Sequence, residues 1–336
     1  MTFRMDRRTA LGLGTVATAG AVFGTAMPAA ADPTEEATTG LDRDRVAARI
    51  AAAYQRESTR AGGNWQAYVS LTGPDGPLVT VSESADRRIE AYSVNKIAVA
   101  VAVLDKVDRG LLTLDHQVEV TQAIVVPGGD GIFSLDGAYP SLVTVGHVLA
   151  NLLTVSDDTA VRLCGLVCPA AEVNQILVAK GFPNTQVQPV ANPNRFFLGT
   201  STPRETHDLL RALVGGTLLS ATSTDLVLRL LRSPVAFTDG VRREMSSAER
   251  ARVATKAGWF ADARHEAGVI FDTAGAPLVT YALFADGQAG ADDFGATHPA
   301  VQARARWGRR VMDLTAGLGG SGATHRRHTY RPSNGG

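Results

Sequence analysis

The sequence predicts an α/β chain of the α+β type. One antiparallel sheet is flanked by helices from the two ends of the chain, and an all-helical subdomain is inserted between its strands. Three observations predict it. Strand-like runs lie towards both ends, at 65–71 and 77–81 and again at 253–259, 265–271 and 278–285. Helical periodicity dominates the stretch between them. No internal repeat divides the chain.

Residues 1–31 read as a signal peptide. Arg7 and Arg8 precede an apolar, small-residue stretch, and Ala29, Ala30 and Ala31 form a cleavage site before Asp32. Asp6-Arg7-Arg8-Thr9-Ala10-Leu11 fits a twin-arginine signal, which exports folded proteins. A general secretory signal carrying two arginines is the other reading. Either sends the chain out of the cytoplasm, and no cysteine near the cleavage site offers a lipid anchor.

Residues 32–41 are small and polar and read as a linker. A domain over 42–318 follows, with a sheet subdomain from about 42–92 and 246–318 and a helical subdomain from about 93–245. Its first helix, over 42–60, places Val46, Ile50, Ala53 and Tyr54 on one side. The turn Gly73-Pro74-Asp75-Gly76 joins the first two strands. A helix from Ser93 to about Val107 is apolar nearly all round and is expected to be buried. Residues 111–142 are loop-rich, helices follow over 144–153, 157–167 and 170–180, and 181–199 is a long irregular segment of the kind that carries function. Thr202-Pro203-Arg204-Glu205 opens another helix with a capping-box pattern, and Ser246-Ser247-Ala248-Glu249 opens one more. A last helix spans 299–318. The glycine-rich tail 319–336, with His325 and His328, is expected to be disordered and solvated.

Composition narrows the function. The 336 residues carry 33 basic and 33 acidic side chains, a balance that points to neither nucleic acid nor a charged membrane surface. No run beyond the signal is long and apolar enough to span a bilayer. The expected protein is a secreted monomer acting on a small molecule, without a membrane anchor. Cys164 and Cys168 sit four apart with no histidine near, a poor metal site; a disulfide and two buried free thiols are both open to them. No motif asks for a metal or another cofactor.

The chemistry lies in Ser93-Val94-Asn95-Lys96. The chain has four lysines (96, 106, 180 and 256), and only Lys96 has a serine three residues before it. Positions i and i+3 share a helix face. A serine at a helix N-terminus has free N–H groups nearby to hold an oxyanion, and a neutral lysine can take its proton.

With two further blocks, the chain resembles the serine-active β-lactamases of class A and their penicillin-binding relatives over roughly residues 42–318. The second block is Ser156-Asp157-Asp158, in the place of Ser-Asp-Asn. The third is Thr255-Lys256-Ala257-Gly258, in the place of Lys-Thr-Gly on a strand. Ser156 follows Ser93 by 63 positions, and Lys256 follows Ser156 by 100. The resemblance implies a β-lactamase/transpeptidase-like fold, β-lactam ring opening and antibiotic resistance. It makes Ser93 the nucleophile that forms an acyl-enzyme and Lys96 its base. Ser156 would pass a proton towards the leaving nitrogen, and Lys256 would supply charge beside Ser156 and a substrate carboxylate. The Ser93 and Trp259 N–H groups would form the oxyanion hole. Asp158, Gly258 and Arg264 would meet the substrate.

The chain also departs from the family. No Asp or Glu lies between Glu172 and Glu205, where hydrolytic members carry a deacylating glutamate. Gln186, Gln188, Asn192 and Asn194 can orient a water but cannot act as a base. Asp158 replaces an asparagine and favours the ammonium form of Lys96, against which Lys256 pushes. Ala257 removes a hydroxyl that binds a substrate carboxylate, a contact Arg264 would partly replace. Three readings follow: a β-lactamase-type hydrolase with weakened deacylation, an esterase, amidase or acyltransferase on another substrate, and a β-lactam-binding or structural protein with little turnover.

Overall fold

The computed structural model of the protein describes residues 33–326. The expected signal peptide, and residues 327–336 with His328, lie outside the described residues. Helix α1 (Pro33–Ala61) starts inside the segment read as a linker. Proline at a first helical position favours such a start.

Strands β1 (Asn64–Gly73) and β2 (Gly76–Glu83) form the expected hairpin. With β8 (Val253–Phe260), β9 (Ala263–Phe271) and β10 (Pro277–Asp286) they build an antiparallel sheet in the order β2-β1-β10-β9-β8. Side chains alternate faces along a strand. On β10, Val279, Tyr281 and Leu283 join one core with Ile50 of α1 and with Trp307 and Val311 of α9 (Pro299–Leu314). Ala282 and Phe284 join the other core, with the helical half of the molecule. The sheet is thus covered on both faces, so every residue of β9 is buried.

The helical half is built around α2 (Lys96–Asp108), whose residues 96–104 are all buried. Around it pack α3 (Val145–Thr154), α4 (Asp158–Val167), α5 (Ala170–Ala179) and α7 (Ala221–Leu231). Helix α6 (Pro203–Val214) lies against β1 and β10, and the short α8 (Ser247–Arg250) leads into β8 behind a complete Ser246–Glu249 capping box. The segment 217–232, which carries no obvious start motif, holds α7 behind its Ser220 cap.

Short strands occupy segments read as loop. The two-residue β3 (Ile89–Glu90) pairs with β7 (Phe196–Ser201), which pairs in turn with β6 (Gln186–Pro189); β4 (Gln117–Val120) pairs with β5 (Ser141–Thr144). The irregular segment is therefore a hairpin. Its pairing shifts register between Gln186 and Gln188 and ends at Pro189, which hides the alternation a strand normally shows.

One open alternative is decided and two expectations change. Of the two readings for the cysteines, the buried free thiols hold: Cys164 and Cys168 are free and buried, and the Cys168 N–H closes on Cys164 O at 2.8 Å. Burial pushes the Cys168 thiol up to about 12, which makes it unreactive. The described part of the tail, residues 319–326, is packed on the fold: Gly320 N donates to Asp272 Oδ2, and His325 bonds Gly275 O and Val214 O. The Glu205 carboxylate does not complete a capping box. Thr202 caps α6 by accepting from Glu205 N, but the carboxylate accepts from Asn184 N, Asn184 Nδ2 and Thr185 Oγ1. Three donors from the hairpin outweigh the single N–H a capping box offers.

Asp157 is the buried anchor of the loop before β5. It caps α4 at Ala160 N (2.8 Å) and also accepts from Ile132 N and Phe133 N (2.7 and 2.9 Å). Asp157→Ala removes a cap and strands two N–H groups, so we expect a loss of about 3 kcal/mol, read as a lower urea midpoint with an unchanged slope.

Candidate active site

Ser93 does not open α2. It lies in a single 3₁₀ turn, Tyr92–Asn95, that feeds Lys96 into the helix. Tyr92, just before it, has φ of +47°. Backbone held in this region by a non-glycine residue stores strain of order 1–3 kcal/mol and recurs at functional sites. The same holds at Ser156, with φ of +59°, in the turn between α3 and α4.

These two strained turns face each other across a buried cluster. Lys96, fully buried, donates to Ser156 O, to Ser156 Oγ at 3.1 Å and to Asp158 Oδ1 at 2.7 Å. Lys256, on β8, donates to the same Ser156 Oγ at 2.9 Å and to Ala257 O at 2.8 Å. One hydroxyl thus bridges two lysine amines. Among the described residues no hydrogen bond joins Lys96 Nζ to Ser93 Oγ; the three donors of Lys96 are all directed at residues 156 and 158.

Burial adds a third influence to the balance between Asp158 and Lys256. Desolvation outweighs the Asp158 carboxylate and holds the Lys96 amine below the ordinary lysine value. Lys256 falls further, through burial and then through the nearby charge of Lys96. Beneath β8, Thr255 Oγ1 donates to buried Glu266 at 2.7 Å, and Glu266 pairs with Arg304 at 3.3 Å. This network holds the strand that presents Lys256.

Gly258 keeps β8 close to Ser93. A Cβ at this position would fall 2.8 Å from both Ser93 N and Val94 N, so only glycine permits the approach. This close packing sets Trp259 on the wall beside Ser93. The β6–β7 hairpin is tied to the same turn: Asn95 Nδ2 donates to Leu198 O and Thr200 O (2.8 and 2.9 Å), and Ala91 N to Gly199 O (2.9 Å).

The resulting cleft holds about 490 Å³, and Ser93, Asp130, Asp158, Gln188 and Trp259 line it. Gln186, Asn192 and Asn194 do not. Asp130 was not singled out in the sequence. It lies in the glycine-rich turn 127–131, and its main chain zips onto Asp158: Asp130 N donates to Oδ2 at 3.1 Å, and Asp158 N donates to Asp130 O at 3.0 Å. Desolvation against the cleft walls, and then the Asp158 carboxylate, push the Asp130 carboxyl above the usual aspartate value.

Arg264 does not reach the cleft. Its buried guanidinium donates to the carbonyls of Ala261, Ala263 and Asp293 and stacks over Phe294, fastening the loop after β10. It lies at the β8–β9 turn, where a long cation buried under a loop finds enough carbonyls to satisfy its fork. Among the described residues no group of His, Cys, Asp and Glu is arranged to hold a metal ion, and no single helix is long and apolar enough to cross a membrane.

A family model described as the beta-lactamase enzyme family matches residues 46–315. Curated protein sequences gave no match. Among solved structures, the chain resembles a beta-lactamase from Sphaerobacter thermophilus at 21% identity and a TM-score of 0.66, covering 82% of this chain and 98% of that one. A beta-lactamase from Xanthomonas campestris aligns at 18% identity and a TM-score of 0.67, over 80% and 98% of the two chains. A variant of PBP-A, solved as an acyl-enzyme complex with penicillin G, aligns at 20% identity and 0.65, over 80% and 97%. At these identities the structural likeness is one of fold, a beta-lactamase/transpeptidase fold. With the family model matched over most of its length, the chain belongs to the beta-lactamase enzyme family.

Proposed function

We propose that the protein is an exported serine hydrolase that forms an acyl-enzyme at Ser93. The observation that carries this reading is the Ser156 hydroxyl held between two buried amines, beside a cleft-lining serine on a strained turn. In this reading Ser93 Oγ attacks a carbonyl carbon as its proton passes to neutral Lys96. The oxyanion is met by the N–H groups of Ser93 and Trp259. Ser156 Oγ then hands a proton, replenished through the lysine pair, to the leaving nitrogen or oxygen. The PBP-A variant holds penicillin G as an acyl-enzyme, which supports β-lactams as probes of this serine.

Hydrolysis of the acyl-enzyme is the slow half of the cycle. The hairpin presents Gln188, Phe197, Leu198 and Gly199 to the cleft, with no carboxylate among them. Glu205 is bound to Asn184 and Thr185. β-Lactam turnover is therefore weak. The second reading, a different ester or amide as the true substrate, is favoured by Ala257 and by the burial of Arg264.

An intact-mass time course with penicillins and cephalosporins tests the reading. We expect an adduct on the wild type that decays over minutes or longer, and none on Ser93→Ala. An adduct on both proteins, or on neither with β-lactams and activated esters alike, would sink it. Gln188→Glu, which places a carboxylate on the cleft wall, should shorten the adduct lifetime at least ~10-fold, below the ~10²–10⁴-fold of a well-placed base. Acylation needs neutral Lys96, so its rate should rise with pH as that amine deprotonates. Asp158 favours the ammonium; Asp158→Asn should move the rising limb to lower pH in stopped-flow acylation assays.

A further inference from the structure

The lining of the cleft carries a charge pattern that bears on what Ser93 attacks. Its ionisable side chains other than the phenol of Tyr92 are three carboxylates, Glu90, Asp130 and Asp158; no lysine, arginine or histidine lines it. The two lysines beneath are buried and bonded to Ser156, Asp158 and the Ala257 carbonyl. The nearby guanidiniums are held elsewhere: Arg162 donates to Ile124 O and Val125 O, Arg195 to Ala123 O, and Arg264 to the carbonyls around its loop.

The walls between the carboxylates are aromatic. Tyr92 and Phe260 stand with ring centroids 5.7 Å apart, Trp259 adjoins them, and Phe197 closes the hairpin side. Phe197 and Phe260 are each 65% exposed, unusual for side chains that bury well when nothing else is asked of them. Aromatic faces interleaved with carboxylates attract cations and repel anions. A second hollow of about 360 Å³ shares Glu90 and Tyr92 with the cleft and adds Asp262 and Asp286, the latter met by Arg87 at 3.6 Å. The acidic surface thus continues past the nucleophile.

We infer that the acyl donor taken by this cleft carries a cationic group, an ammonium or guanidinium, in place of the carboxylate that β-lactams bear. The inference rests on Ser93 being the acylated residue. The group sits against the aromatic walls between Glu90 and Asp130 while the carbonyl meets Ser93. Asp158 is already met by Lys96 at 2.7 Å, which leaves Glu90 and Asp130 as the carboxylates that face the bound group. The reaction is an ordinary acyl transfer. The Ser93 Oγ–acyl bond forms, the ester or amide bond breaks, the leaving group departs with a proton, and water releases the acid.

Three p-nitrophenyl esters of matched length test this on the full chain: 4-(trimethylammonio)butanoate, its neutral 5,5-dimethylhexanoate isostere, and glutarate. We expect kcat/KM to fall in that order, by ~10-fold per step, with the order compressed in 0.5 M salt. Glu90→Gln and Asp130→Asn, both exposed side chains, should each lower the cation-to-neutral ratio ~3- to 10-fold. Ser93 labelling by the neutral ester with equal rates for all three, or with glutarate fastest, would overturn the inference while leaving the serine reading intact. No Ser93-dependent release or label with any ester would overturn both.

Discussion

Two lysine amines are buried within hydrogen-bonding distance of a single hydroxyl, and the rest of the site is arranged around that fact. Taking two cations out of water is costly unless acceptors and counter-charge meet them. Ser156 Oγ, two backbone carbonyls and the Asp158 carboxylate meet these two. To do so, three separate parts of the chain must converge: the start of α2, the turn between α3 and α4, and the edge strand β8. The left-handed backbone of Ser156 is the local strain through which both its hydroxyl and its carbonyl face Lys96. Asp157 and Asp158, next in the chain, then fasten the loop that forms the far wall of the cleft.

What was legible in the sequence follows from how each signal arises. The buried helix after Ser93 showed itself because it is apolar on all sides, and the three long strands because they are covered on both faces. Ser93, Lys96, Ser156 and Lys256 stood out through the scarcity of lysine and the order of their motifs, and the structure brings Lys96, Ser156 and Lys256 into one hydrogen-bonded cluster beside Ser93. Asp130 did not stand out, because a single aspartate in a glycine-rich turn has no pattern; only the pairing of its main chain with Asp158 reveals it. Arg264 misled for the opposite reason. Its place near the strand block suggested a substrate contact, but the loop after β10, unreadable from sequence, supplies the carbonyls that bury it. Glu205 likewise carried a capping pattern that the hairpin's donors override.

The family machinery and the substrate surface have been altered to different extents. The hydrogen-bonded cluster and the serine beside it keep the family's residue types at all four positions, Ser93, Lys96, Ser156 and Lys256. Around it, Ala257 stands where the resemblance implies a hydroxyl, Asp158 stands where it implies an asparagine, and the hairpin presents no carboxylate to the cleft. Because the hydroxyl network beneath β8 is anchored separately through Thr255, Glu266 and Arg304, the wall can change without disturbing the strand that presents Lys256.

The three hydrogen bonds from residues 91 and 95 to the β6–β7 hairpin have a consequence for how such an enzyme changes over time. They make the Tyr92–Asn95 turn and the inner half of β7 one mechanical unit, so an insertion or deletion between residues 198 and 200 would displace Ser93 itself. The tip of the hairpin, from Pro189 to Arg195, is tied to the helical half instead: Ala170 N donates to Pro193 O and Arg195 Nη2 to Ala123 O, both at 3.1 Å. The base of the hairpin therefore admits only point replacements that preserve its carbonyl positions, whereas the tip is constrained by the helices it touches. A recombination library for this scaffold would place its crossover points accordingly.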